Sequence, residues 1–161
     1  MKYYLAYGSN LNKHQMKFRC PDAVPAGSCV LHNWELVFRR GVLTIEPCPG
    51  GIVPLGIWKI SEADEKSLDR YEGFPHLYRK EMFPIITNGY KDVEAFNAGR
   101  KDVKEVVGKA MAYIMNPGRA VEEPSFSYMR TVQVGYEDFG FDKAPLMKAY
   151  RKSKKGAKKN G

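Results

Sequence analysis

Short apolar runs that follow one another directly, separated by glycine, proline or polar turns and only irregularly by helical patterns, set the strongest limit on how this chain folds. Residues 2–7, KYYLAY, stop at Gly8 as a buried first strand does. Residues 27–38 and 42–45 flank Arg39-Arg40-Gly41 and read as a hairpin. Pro47, Pro49, Gly50 and Gly51 mark a loop. Beyond it, residues 52–60 alternate Val53, Leu55, Ile57 and Lys59 against Pro54, Gly56, Trp58 and Ile60, a further strand. Residues 78–86 and 109–115 supply two more. Strands that adjoin in this way, without regular strand–helix alternation, argue for an α+β fold over a doubly wound one. The expected architecture is a mixed, mainly antiparallel sheet curled into a small barrel with flanking helices.

Four helices complete the pattern. Asn10 is placed to cap the first, which carries Leu11, Met16 and Phe18 and is closed by Pro21. Ser61 and Asp64 have the spacing of a capping box, Leu68 and Tyr71 form an apolar stripe, and Gly73 ends the second helix. Pro124-Ser125 opens the third, running to about Phe139, and residues 143–151 form the fourth. The polar stretch 88–104 is expected at the surface.

At 161 residues with 43% hydrophobic composition the chain has the material for one core. No apolar run reaches the roughly eighteen residues of a membrane helix, and the N-terminus lacks a secretory pattern, so the expectation is a cytoplasmic protein with no membrane partner. Cys20, Cys29 and Cys48 form no C-x-x-C pair and are read as idle thiols. His14, His32 and His76 are isolated from one another, and no metal is expected.

The formal charge of +8 raises the question of nucleic acid. Residues 148–161 hold seven basic side chains and no acidic one, which leaves +1 for residues 1–147. A near-neutral body has little long-range field for a phosphate backbone. The reading is therefore one domain, 1–147, followed by a basic, disordered, solubilising tail, 148–161, with the end of the last helix left open; nucleic acid is not the expected partner.

Two features carry chemistry. Gly8-Ser9-Asn10 lies between a strand and a helix start, where backbone N–H groups can cradle an anion, although a Gly-Ser-Asn turn is usually only a turn. Glu72 ends a helix immediately before Gly73. The helix dipole there disfavours a negative charge, and aromatic neighbours such as Tyr71, Phe74 and Tyr78 would raise its proton affinity; a solvated surface acid is the plain alternative.

Tyr4-Leu5-Ala6-Tyr7-Gly8-Ser9-Asn10-Leu11, then Gly56-Ile57-Trp58, Leu68-Asp69 with Glu72-Gly73, Tyr78-Arg79, and Pro124-Ser125 with Tyr128, together resemble the gamma-glutamylcyclotransferases in order and spacing. The resemblance implies a barrel-like α+β fold and a small-molecule gamma-glutamyl substrate held between the first loop and a catalytic glutamate. It implies Glu72 as general acid/base, Tyr7, Gly8, Ser9, Asn10, Leu11 and Tyr128 as substrate-binding residues, and Tyr4 to Ala6 at the pocket floor. The implied reaction converts a gamma-glutamyl amide to 5-oxoproline with release of an amine or amino acid, an acyl transfer without cofactor. The alternative is a non-catalytic gamma-glutamyl ligand-binding module of the same fold. The leaving amine is open, and a homodimer is among the assemblies the sequence allows.

Overall fold

The computed structural model describes residues 1–89, 93–100 and 103–160. Five strands carry the fold: β1 (Lys2–Ala6), β2 (Val24–Arg39), β3 (Val42–Ile60), β4 (Tyr78–Gly89) and β5 (Val103–Met115). They hydrogen-bond in the order β1-β3-β2-β4-β5, and β5 returns to β1 to complete a ring. Most of the pairing is antiparallel; the exception is the parallel contact Tyr4↔Met111 between β1 and β5. That contact and Ser28↔Asn88 between β2 and β4 are narrow seams in a strongly curled sheet. The helices are α1 (Lys13–Arg19), α2 (Glu62–Tyr71), α3 (Val93–Asn97), α4 (Phe126–Phe139) and α5 (Ala144–Asn160), with a 3₁₀ turn at Ser9–Leu11. The α+β architecture and curled antiparallel sheet are those expected.

The long β2–β3 hairpin turns at Arg40-Gly41, both at positive φ, as a two-residue hairpin turn matched to the sheet's twist requires. No loop interrupts it at residues 47–51. β3 runs straight through its prolines and glycines because the ladder shifts register there, between His32 and Trp34 on β2, with Asn33 and Gly50 both at positive φ. The Asn33 side chain accepts from Gly50 N at 3.0 Å and closes the bulge. Val53 to Trp58 are all buried, since one face of β3 points into the barrel and the other is covered by α3 and α4.

α1 begins later than expected. Asn12, not Asn10, is its cap, accepting from Gln15 N at 3.0 Å, because residues 9–11 form the separate 3₁₀ turn. Phe18 lies on the outer face and is 75% exposed. The Ser61/Asp64 capping box, the Ser125 cap and the Gly140 stop of α4 stand as the residue types demand.

Two further expectations are corrected. The stretch 88–104 is not uniformly superficial: α3 lies within it and buries Ala95 and Phe96, the latter packed against Trp58 and Phe139. Residues 90–92 and 101–102 are outside the described set. The basic segment 148–161, read as a disordered tail, is helical as far as Asn160. It continues α5 because Leu146, Ala149 and Ser153 recur along one buried face while Lys148, Arg151, Lys152, Lys154 and Lys155 stay outside. Among the described residues, no helix is long and apolar enough to cross a membrane.

Candidate active site

A cavity of about 240 Å³ opens where β1 gives way to the 3₁₀ turn. Gly8, Ser9 and Asn10 form one wall, Glu72 lies on the wall supplied by the end of α2, and tyrosines from five elements line the space between. The loop is held from behind. Leu11 is fully buried, and a Cβ on either Gly56 of β3 or Gly135 of α4 would come within 2.7 Å of it, so both glycines exist to admit this side chain. Trp58 donates its indole N–H to Asn10 O at 3.0 Å. The strand, the helix and the turn thus meet around Leu11, which places Ser9 and Asn10 at the cavity.

Glu72 follows the last turn of α2, its N–H bonded to Leu68 O at 2.8 Å, and Gly73 at φ 62° turns the chain away. Leu68, one turn earlier and fully buried, locks the helix to the core. The Glu72 carboxyl is pushed up to about 7 by burial, opposed by the nearby Arg19 guanidinium. Asn10 Nδ2 approaches Glu72 Oε1 at 3.4 Å and donates to Tyr4 Oη at 2.8 Å; its Oδ1 accepts from Arg19 Nη1.

The tyrosines differ in how their hydroxyls are used. Tyr7 donates to Tyr113 O at 2.5 Å and Tyr78 to Leu43 O at 2.7 Å, so these protons are committed to the scaffold. Tyr113 donates to Asp69 Oδ1 at 2.6 Å, and Asp69 in turn pairs with Lys80 at 2.9 Å. Tyr4 accepts from Asn10 and Tyr128 accepts from Leu43 N at 3.0 Å, an arrangement that leaves each of those two O–H groups to donate elsewhere. Burial raises the proton affinity of all five, with the carboxyl of Glu72 adding to the effect on Tyr4, Tyr7, Tyr78 and Tyr128, so they stay neutral. Tyr71 stands at the rim and its hydroxyl shares a hydrogen bond with Ser9 Oγ at 2.9 Å.

The structure brings Tyr7, Gly8, Ser9, Asn10, Glu72 and Tyr128 to one cavity. Leu11 is the exception among the expected site residues: it faces the core and anchors the loop instead of lining the cavity. Sequence reasoning did not single out Val42, Leu43, Leu77 or Tyr113, nor Arg19 behind the wall. Tyr113 falls in an apolar strand where nothing local distinguishes it from a core aromatic.

Fold and pocket together define a class: a curled α+β domain in which one carboxyl group faces a glycine loop across a tyrosine-walled cavity. A profile of the gamma-glutamyl cyclotransferase, AIG2-like family matches residues 4–131, most of the chain, and the protein belongs to that family. It is 25% identical over 148 residues to a gamma-glutamylcyclotransferase of Mus musculus, covering 85% of this chain and 71% of the mouse protein. A gamma-glutamylcyclotransferase of Bos taurus is 33% identical over 81 residues; that match spans 44% of this chain and only 43% of the bovine protein. A solved gamma-glutamyl cyclotransferase superposes with a TM-score of 0.63 at 22% identity, over 95% of this chain and 86% of its own, which shows the common fold.

Proposed function

We propose that the protein cyclises a gamma-glutamyl amide to 5-oxoproline and releases the amine, with Glu72 as the single acid/base. The observation that carries this reading is a carboxyl group of raised proton affinity, about 7, facing a glycine loop inside a cavity sized for a small molecule. The names of the mouse and bovine relatives point the same way.

The substrate already holds its nucleophile, the α-amine, and its electrophile, the γ-carbonyl, on one chain that closes to a five-membered ring. Effective concentration is therefore built into the substrate, and the protein has to fold it, move protons and stabilise charge. The Glu72 carboxylate takes a proton from the α-ammonium, whose pKa is about 8. The freed amine attacks the carbon of the γ-carbonyl group and the carbonyl oxygen becomes an oxyanion. The free O–H groups of Tyr4 and Tyr128, with the loop N–H groups of residues 8–10, are the donors at hand for that oxygen and for the α-carboxylate. Protonated Glu72 then delivers its proton to the departing nitrogen, the oxyanion collapses and the C–N bond breaks; the restored carboxylate takes the second proton from the ring nitrogen, which leaves a neutral lactam, and passes it to the released amine, which departs as its ammonium. A pKa near the working pH suits a group that must act in both directions.

The test is release of 5-oxoproline from γ-glutamyl-alanine, γ-glutamyl-butylamine and ε-(γ-glutamyl)-lysine. Turnover of at least one, reduced by roughly 10²–10⁴ in Glu72→Gln, is the expected result. Binding of these amides without product would favour the non-catalytic module, and an undiminished Glu72→Gln would remove the mechanism.

A further inference from the structure

Arg19 lies outside the cavity, yet two of its contacts converge on the cavity wall. Its Nη1 donates to Asn10 Oδ1. Its guanidinium carbon sits over the Tyr71 ring, 3.5 Å from the ring centre, and Tyr71 is the residue whose hydroxyl meets Ser9 Oγ. Its own position is fixed at both ends: Nη2 donates to Gln15 Oε1 at 3.3 Å, and its carbonyl oxygen accepts from Ser67 Oγ of α2 at 2.7 Å.

An asparagine side chain has one acceptor end and one donor end, and which way it faces is decided by its partners. Arg19 has only donors, so it binds the oxygen and turns the NH₂ group of Asn10 towards Tyr4 Oη and Glu72 Oε1. A flipped amide would present oxygen to the carboxylate and repel it. We propose that Arg19 is a positioning residue that sets the acid/base: it fixes the donor face of Asn10 towards Glu72 and, through the Tyr71 ring, holds Ser9 at the opposite side of the loop. This inference rests on the reading of Glu72 as acid/base for its kinetic consequence only; the orientation itself is independent of turnover.

The charge acts in the same sense as the geometry. The groups that face Glu72 are Tyr4 of β1, Tyr7 just beyond that strand, Asn10 of the 3₁₀ turn, Arg19 of α1, Tyr71 at the end of α2, Tyr78 of β4 and Tyr128 of α4. Asp69 stands behind Tyr113 and is compensated by Lys80. Burial keeps Tyr4, Tyr7, Tyr78 and Tyr128 neutral, so Arg19 is the charge opposing burial at Glu72. Without it the carboxyl retains its proton to higher pH.

The experiment follows the Glu72 carboxyl directly by carbon-detected NMR titration, its resonance assigned by its loss in E72Q, alongside the pH dependence of kcat/KM for the fastest amide of the panel above. In R19Q the Glu72 titration and the acid limb of the rate profile should both move upward by at least about 0.5 pH unit. In R19K, which keeps the charge and loses the planar fork, the titration should stay within about 0.2 unit of wild type. Its plateau kcat/KM should still fall several-fold, because an ammonium cannot stack on Tyr71 and hold the amide together. An unmoved titration in R19Q overturns the proposal, as does an R19K enzyme with the wild-type plateau. If no amide is turned over, cyclisation fails on its own account, and the titration in R19Q still decides the role of Arg19.

Discussion

The carboxyl of Glu72 lies between opposed influences: burial among tyrosines raises its proton affinity, the guanidinium of Arg19 lowers it, and about 7 is the outcome. In an unfolded chain a glutamate titrates near about 4.3. Between that pH and about 7 the folded protein keeps a proton that the unfolded chain has released, so stability is fullest below the window, falls as pH rises through it and levels off above it. Glu72→Gln removes this dependence; its Tm should exceed the wild-type value at pH 8 and match it near pH 4, and an equal difference at both would show that the carboxyl is not desolvated. Tyr128→Phe removes both the acceptor for Leu43 N and a free O–H, and should lower kcat/KM by about 10- to 100-fold with a Tm loss of a few degrees. Cys20 and Cys29, pushed up to about 12 by burial, are correspondingly inert. Glu72 draws notice locally as a glutamate before a helix-ending glycine, but its reading as acid/base comes from the resemblance. Of its tyrosine shell, Tyr78 is legible as a neighbour and Tyr4, Tyr7 and Tyr128 come with the resemblance, whereas Tyr113 of β5 is not, since it meets the others only when the sheet curls. Leu11 shows the limit of reading a motif as a block. Successive residues of a 3₁₀ turn point about 120° apart, so Ser9, Asn10 and Leu11 cannot all face one cavity, and the apolar one turns inward.

Elements meet at the loop through glycines, and this is where small changes in packing reach the chemistry. A Cβ on Gly135 of α4 would lie 2.7 Å from Leu11 Cβ and 2.8 Å from Asn12 N. Backbone cannot yield as a side-chain tip does, so Gly135→Ala should cost about 1–3 kcal/mol and push the 3₁₀ turn off its seat. We expect KM for the reactive amide to rise more than kcat falls, measured alongside a denaturant titration; unchanged kinetics with reduced stability would mean that the turn is held by the Trp58–Asn10 bond alone. Ser61→Ala, which dissolves the capping box of α2, should cost about 1 kcal/mol and leave the kinetics unaltered, because Leu68 fixes the far end of that helix. Helix starts were legible at this scale wherever a side chain caps the chain locally, as at Ser61 and Ser125. The bulge at Asn33 and Gly50 was read as a loop because Pro47, Pro49 and two glycines are turn signals in one strand; the opposite strand that accommodates them is not visible in that strand's own sequence.

Whether α5 belongs to the domain or merely trails it is a question for the molecule as a whole. Composition separates residues 148–161, with their seven basic side chains, from a body of nearly balanced charge. Packing does not respect that division. Leu146 is fully buried, Tyr150 packs edge-on against Phe38 of β2, and a Cβ at Gly156 would strike Val121 at 2.7 Å, so the helix lies against the barrel for most of its length. Lys148, Arg151, Lys152, Lys154 and Lys155 are what remains on the outer face once the inner face is apolar, and basic residues in the C-terminal half of a helix suit its dipole. Composition alone cannot reveal this, since a run of lysines reads as solvated whether it is a coil or one side of a helix. The two views predict different thermal behaviour. Leu146→Ala should cost about 2–5 kcal/mol, which for a chain of this length is a Tm loss of roughly 5–15 °C. Removal of residues after Arg151, which takes away the buried Ser153 and the Gly156–Val121 contact, should lower Tm by a few degrees more than exchanging Lys154 and Lys155 for glutamine, since those two side chains are exposed. A truncated chain that melts with the full-length protein would return the segment to the status of a tail, while a lowered Tm makes its charge a coating on a structural helix.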